Sequence, residues 1–267
     1  MRVLHFFKTY YPDTTGGIEQ VILQLCQGCR AFGIEGEVLT LSTNPSPARI
    51  KVADHQVTRV KENFNIASTG LSLQAFSQFK EMAAEADLVH FHFPWPLMDL
   101  VHFATGHGRP TVLSYHSDIV KQSTLLKLYA PLMNRFLKSM DRIVVASPNY
   151  LNSSEFLKPF ADKTVVIPYG LDQSAYPNIS TEKLCDLRNR LPKKFFLFVG
   201  VLRYYKGLDS LLSALESVDY PVVILGSGPQ EQELKAQAQK LQLRNVLFLG
   251  RLDDEDKVGL LQMCYAL

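Results

Sequence analysis

Arg2-Val3-Leu4-His5-Phe6-Phe7, then Tyr11-Pro12-Asp13-Thr14-Thr15-Gly16-Gly17, then Ile18, Val21, Ile22, Leu25 and Cys29 at helical spacing: this opening decides the fold. The first run is a short apolar strand of the kind that lies buried on both faces in a parallel sheet. It ends in turn-forming residues and gives way to a helix whose apolar stripe stops near Gly33. A strand, a glycine loop and a helix make the first half of a crossover connection, which returns the chain to a parallel neighbour.

The same alternation continues outward. Strands are expected at Glu37–Leu41, Leu88–Phe93, Thr111–Tyr115, Arg142–Ala146 and Thr164–Ile167, with helices at Leu71–Ala86, Leu97–Thr105, Leu125–Met140 and Tyr150–Phe160. A polar stretch with Pro177 and Pro192 follows. Beyond it, strands Phe195–Val199, Val222–Leu225 and Val246–Leu249 alternate with helices Leu208–Leu215, Gln230–Leu241 and Lys257–Leu267. The fold class is α/β, with two Rossmann-like doubly wound parallel-sheet domains: residues 1–172, a linker over 173–192, and 193–267. A complete doubly wound domain takes roughly 150 residues, so the second reads as partial.

The balance of 28 basic against 26 acidic residues argues against a nucleic-acid partner. Four cysteines at irregular spacing make neither a disulfide framework nor a zinc site, and a cytoplasmic setting is expected. Cys26 and Cys29 fall within a helix, where core packing is the simpler reading. No apolar run approaches the ~18 residues of a membrane span.

Three loops follow strands at the edge where open α/β sheets bind ligands. Gly16-Gly17 lets an anion approach backbone N–H groups at a helix start, or simply makes a tight turn. Gly200-Val201-Leu202-Arg203-Tyr204-Tyr205-Lys206-Gly207 carries two cations, suited to a diphosphate, with Arg203 as a bidentate donor and Lys206 as a point charge. Leu225-Gly226-Ser227-Gly228-Pro229 repeats the close-approach pattern. His116 and Asp118 follow a first-domain strand and are candidates to face a ligand. His90 and His92 share one face of a strand, but no third ligand at suitable spacing suggests a metal, so none is expected. The acidic run Asp253–Asp256 opens a helix, as capping and the helix dipole favour. The helix from Leu125 to Met140 places Leu125, Leu128, Tyr129, Leu132, Met133, Phe136 and Met140 on one side, read as facing the core, with rest on anionic lipid as the alternative. Trp95 is open to either acceptor stacking or packing.

Taken together, the Gly16-Gly17 loop, Ser114-Tyr115-His116-Ser117-Asp118-Ile119-Val120, Val166-Ile167-Pro168-Tyr169-Gly170-Leu171-Asp172 and Gly200–Gly207 resemble, in order, the retaining glycosyltransferases of family 4. The resemblance implies a GT-B fold, two Rossmann-like domains across a cleft that binds a nucleotide-sugar. It is closest to bacterial mannosyltransferases of lipopolysaccharide and other surface polysaccharides. By that resemblance Gly16, Gly17, Asp118 and Gly228 line the donor, Arg203 and Lys206 neutralise its diphosphate, and His116 touches the donor sugar. Leu252, Asp254 and Lys257 would lie over the base, which favours GDP-mannose as the donor. No cofactor or metal is implied, since the nucleotide-sugar is a substrate. The implied acceptor is lipid-linked or an oligosaccharide, with peripheral contact at the inner membrane.

The family pattern continues with an acidic E-x7-E motif that the 267 residues do not reach. A truncated, impaired enzyme is the resulting expectation, with a non-catalytic binding fragment as the alternative.

Overall fold

In the computed structural model, all residues are described except 67–68, 120–122 and 171–175, and the side chains of 123 and 124. The chain forms two units, Met1–Gly170 and Leu171–Leu267. In the first, the order is β1 (Arg2–Phe6), α1 (Gly17–Gly28), β2 (Glu35–Ser42), β3 (Arg49–Val52), β4 (His55–Lys61), β5 (Phe64–Ile66), β6 (Thr69–Leu71) and α2 (Gln74–Glu85). There follow β7 (Leu88–Phe93), α3 (Pro96–Thr105), β8 (Thr111–Tyr115), α4 (Ser123–Ser139), β9 (Arg142–Val145), α5 (Pro148–Ser153) and β10 (Thr164–Val166).

β1 buries Val3, Leu4, His5 and Phe6, and a strand covered on both faces sits inside a sheet rather than at its edge. It pairs in parallel with β2 on one side and β7 on the other, with His5 opposite Val38 and His90. The full order is β10-β9-β8-β7-β1-β2-β4-β3. Every pairing is parallel except that of β3 with β4. β3 and β4 have no counterpart in the sequence reading. β4 buries Thr58 and Arg59 along with Val57 and Val60, so polar residues interrupt the apolar run by which a buried strand is recognised. Arg59 is accommodated by Asp13 at 2.9 Å and by the carbonyl of Pro47 at 2.6 Å.

Phe6, Phe79, Phe91, Phe93, Trp95, Leu113 and Phe136 belong to the main core of this unit. Trp95 is fully buried and its Nε1 donates to the Gly70 carbonyl at 2.9 Å, which makes it a packing residue. The helix expected over Tyr150–Phe160 is interrupted: α5 ends at Ser153, Ser154 is extended, and a 3-10 turn follows at Lys158–Lys163. On α4 the core side carries Met133, Phe136 and Leu137, followed by Met140 just past its end, whereas Leu125 and Leu128 are exposed, a correction to the stripe read from the sequence.

The second unit contains α6 (Thr181–Arg190), β11 (Phe196–Val199), α7 (Leu208–Ala214), β12 (Val222–Leu225), α8 (Glu231–Lys240), β13 (Val246–Gly250) and α9 (Asp254–Met263). Its sheet is parallel, in the order β11-β12-β13. Alternate side chains of β12 feed two cores. Val222 and Ile224 join Leu208, Leu212 and Leu234 on one face, while Val223 and Leu225 join Leu187, Leu191 and Leu260 on the other.

Residues 176–192, expected as linker, are therefore corrected in part: Leu187 of α6 is core, and α6 covers one face of this sheet beside α9. The polar composition of α6 follows from the single narrow stripe it buries. Leu171, Asp172 and residues 173–175, where the first domain and the linker were expected to meet, lie outside the described residues, as does Val120. The last expected helix is also shorter and earlier. After α9 the chain extends, and Ala266 bridges Phe196 in parallel on the side of β11 away from β12.

At the contact of α6 with α9, a Cβ on Gly259 would lie 2.4 Å from Ile179 Cδ1 and 2.8 Å from Leu187 Cδ1. Gly259→Val is expected to cost about 1–3 kcal/mol through overpacking, read as a lowered urea midpoint. A wild-type midpoint would show that α6 is not part of this core.

Candidate functional site

Because the strands of the eight-stranded and three-stranded sheets run in parallel, apart from β3, the loops that follow them in each sheet gather at one edge. In open α/β sheets the crevice opens where successive connections leave a strand in opposite directions. In the first unit that point lies between β1 and β7, since the chain passes from β1 to β2 and later returns on the other side. In the second unit it lies at β11, flanked by β12 and by the bridge to Ala266.

Gly16 caps the N-terminus of α1 in an extended conformation, and its carbonyl accepts the first helical bond from Gln20 at 3.0 Å. A Cβ there would meet Glu19 Oε2 at 2.6 Å. The buried Glu19 carboxylate, held also by Thr14 Oγ1 at 2.9 Å, thus folds back against Gly16. Gly17 has no atom within 4 Å of a Cβ position, which leaves that side of the helix start open to an approaching group. The loop before it is tied to the sheet by the Asp13–Arg59 pair and by Tyr10 Oη with His55 Nε2 at 2.9 Å.

Across the switch point the strands bring together four histidines. His5 Nδ1 and His92 Nε2 are 3.1 Å apart, His92 Nδ1 and His116 Nε2 are 3.1 Å apart, and His116 Nδ1 lies 2.6 Å from Tyr169 Oη. His90 Nε2 bonds Ser114 Oγ at 2.8 Å, and its ring stacks on His92 at 4.5 Å. His5 was not singled out in the sequence. It belongs to a different strand, and only the register of β1 with β7 makes it the third imidazole, so the expectation that His90 and His92 lack a third partner is corrected. Ring nitrogens of His5, His90 and His92 lie within 4.8 Å of one another, yet His5 Nδ1, His90 Nε2 and both nitrogens of His92 already have hydrogen-bond partners.

Burial holds these rings neutral: His5 is lowered to about 3 and His116 to about 4, and His90 and His92 fall well below the usual range. Asp118 serves the same edge from within. Its Oδ1 accepts from Tyr115 Oη and Ser154 Oγ, each at 2.9 Å, and its backbone N–H donates to Tyr150 Oη at 2.5 Å. Asp118 thus fastens the loop that carries His116.

In the second unit, Arg203 and Lys206 occupy the loop after β11, both exposed. Among the described residues neither forms an ion pair. Lys206 Nζ lies 5.6 Å over the Tyr205 ring. This loop docks on the one after β12 by backbone bonds: Gly200 N to Leu225 O at 3.0 Å, Leu202 N to Ser227 O at 3.1 Å and Gln230 N to Leu202 O at 3.2 Å. Gly226, at φ +139°, and Gly228 make this possible. A Cβ would stand 1.9 Å from the Gly200 carbonyl oxygen at the first and 2.5 Å from that of Leu202 at the second. Gly228, read from sequence as a donor contact, has this structural reason to lack a side chain.

Leu252 and Asp254 follow β13 at the same edge. Asp253 caps α9, its carboxylate accepting from Asp256 N at 2.8 Å and pairing with Lys183 at 2.8 Å. Asp254 pairs with Lys257, whose Nζ lies 5.8 Å over the Tyr176 ring. The two cations and this carboxylate therefore occupy loops of one sheet edge, after β11 and β13, with the loop after β12 between them.

Two doubly wound units, each a parallel sheet between helices, are the architecture of the GT-B class. Comparison makes this specific. Residues 15–175 match the family Glycosyltransferase Family 4, and residues 181–267 match Glycosyl transferases group 1. The D-rhamnosyltransferase WbpZ of Pseudomonas aeruginosa is 59% identical over 267 residues, covering 100% of this chain and 70% of that protein. The O-antigen chain mannosyltransferase C of Escherichia coli is 51% identical over 264 residues, covering 99% and 71%. Among solved structures, sucrose-phosphate synthase of Thermosynechococcus elongatus superposes with a TM-score of 0.76 at 19% identity, covering 98% of this chain and 74% of that one. Anabaena HepE in complex with UDP and glucose gives 0.72 at 19%, covering 99% and 72%. The chain belongs to glycosyltransferase family 4.

The neutral histidines make stability depend on pH. Unfolded, each binds a proton near pH 6.5; folded, His5 and His116 do so only near 3 and 4. The stability they contribute is thus present above 6.5 and is lost as pH falls, by about 1.4 kcal/mol per unit for each ring. Urea midpoints are expected to drop steeply between pH 7 and pH 5, and a flat profile would contradict neutral burial.

Proposed function

We propose that this glycosyltransferase moves a hexose of manno configuration from a GDP-linked donor to a lipid-linked or oligosaccharide acceptor during assembly of an O antigen or related surface polysaccharide. The observation that carries the reading is the placement of Arg203 and Lys206, without ion-pair partners among the described residues, at the switch-point edge of the second sheet. The sugars named for the two bacterial relatives support it, since D-rhamnose is mannose without the hydroxyl at C6.

In this mechanism Arg203 and Lys206 bind the donor diphosphate. As the bond from sugar C1 to the phosphate oxygen breaks, negative charge grows on that oxygen. Two cations fixed beforehand stabilise it without reorganisation. The acceptor hydroxyl bonds to C1 on the face the leaving group departs, so configuration is retained, and its proton passes to the departing phosphate oxygen. No protein nucleophile takes part. His116, neutral and fixed, holds a sugar hydroxyl, and the open side of Gly17 lets the donor approach the start of α1. Asp254, released from Lys257, accepts the two N–H groups of guanine, which distinguishes GDP from UDP.

No helix of the described chain is long and apolar enough to cross a membrane. Leu125 and Leu128 stand exposed on α4 on either side of Lys127, an arrangement suited to an anionic bilayer surface. We assign the protein to the cytoplasmic face of the inner membrane in peripheral contact, with no metal or cofactor required for charge neutralisation.

Isothermal titration with GDP-mannose, GDP, UDP and UDP-glucose tests the reading. Guanine-selective binding is expected, weakened about 10- to 100-fold by Arg203→Ala or Lys206→Ala, the loss of one charge-assisted hydrogen bond each. Unchanged affinity in both variants would remove the diphosphate site from this loop, and no binding of any nucleotide would leave the chain a non-catalytic binding role.

A further inference from the structure

His5, His92, His116 and Tyr169 form an unbroken chain of hydrogen bonds with links of 3.1, 3.1 and 2.6 Å. A neutral imidazole carries one N–H and one lone pair, on separate nitrogens. Each ring that bonds through both nitrogens therefore donates at one end and accepts at the other. Once the direction of one link is set, every other link follows.

Only two arrangements satisfy all the bonds. In the first, Tyr169 donates to His116 Nδ1, His116 donates through Nε2 to His92, and His92 donates through Nε2 to His5. In the second every direction is reversed, and His5 and His92 donate through Nδ1 toward His116, which donates to Tyr169. Either way all three rings carry the proton on the same type of nitrogen. A mixed arrangement sets two N–H groups or two lone pairs against each other at 3.1 Å, where His5 and His92 are almost wholly shielded from water.

We propose that His5 and His92 are positioning residues that tie the tautomer of His116 to their own, and that the Tyr169 hydroxyl holds the place of a substrate hydroxyl on His116 Nδ1. His116 Nε2 is committed to His92 inside the unit. Its Nδ1 faces Tyr169, which is 49% exposed, so this is the one link that exchanges partner without opening the core. A sugar hydroxyl donates and accepts as a phenol does, and so replaces it in either direction of the chain. His90 stands outside the relay: its Nε2 is bonded to Ser114, and it supplies a stacking face to His92. The sugar-facing half of the proposal rests on the donor reading above, whereas the shared tautomer does not.

The test is a long-range proton–nitrogen correlation spectrum of the chain labelled with nitrogen-15 histidine, at pH 7.5, for the wild type and Tyr169→Phe. The expected result is that His5, His92 and His116 are neutral and share one tautomer. Tyr169→Phe is expected to shift the ring nitrogens of His116 and also those of His92 and His5, which Tyr169 does not touch. Signals of His102 and His107, bonded elsewhere, stay in place and report an intact fold. Mixed tautomers, an imidazolium among the three, or a change confined to His116 would overturn the relay, as would loss of the His5 and His92 signals on adding one equivalent of Zn2+, which would make the cluster a metal site. With GDP-mannose, Tyr169→Phe is expected to bind about 2- to 10-fold tighter, since no internal bond must be displaced. Tenfold weaker binding would overturn the place-holding role. If the wild type binds no donor while the shared tautomer is seen, the donor reading fails and the tautomer coupling stands.

Discussion

The parallel pairing of β1 between β2 and β7 is the constraint on which the rest of the first unit depends. It buries β1 on both faces and sets His5 opposite His90. It also creates the switch point, because the chain leaves β1 toward β2 and comes back on the far side. A shift of one residue in that register would turn His5 to the opposite face of the sheet and Leu4 and Phe6 out of their core. The apolar packing of β1 and the polar relay at its edge are thus fixed together.

The second unit solves a related problem mainly with backbone, helped by the buried Leu202 side chain. Its cationic loop has few side-chain anchors, and its shape comes from hydrogen bonds to the loop after β12, which approaches so closely that positions 226 and 228 have no room for a Cβ. The cations are left exposed on a backbone that is held still. In the proposed mechanism this preorganised charge stabilises the departing diphosphate. In the first unit the corresponding work is done by side chains: the Asp13–Arg59 pair, Glu19 folded beneath Gly16, and Asp118 bridging Tyr115 and Ser154.

Much of this was legible in the sequence because its signals are local. The strand-loop-helix alternation, the glycines after strands, the two cations of 200–207 and the acidic start of α9 are read within a few residues. Other features were hidden for identifiable reasons. β4 carries buried Thr58 and Arg59, which look solvent-exposed until Asp13, 46 residues away, is seen to neutralise the arginine. α6 looks like linker because one buried leucine and its neighbours suffice to seat it against α9. Leu125 and Leu128 share helical spacing with core residues, yet the helix extends past the surface it covers.

By itself, the sequence determined the fold class, the family resemblance and the edge at which the candidate loops gather, since periodicity, turn residues and strand-terminal loops are properties of short segments. The tertiary structure decided which side chains meet. His5 joins His92 across 87 positions, and His116 joins Tyr169 across 53. Gly228 proved to be a docking point for a neighbouring loop. These are consequences of register and close packing between segments far apart in the chain, and no local pattern encodes the distance between two atoms that only a sheet brings together.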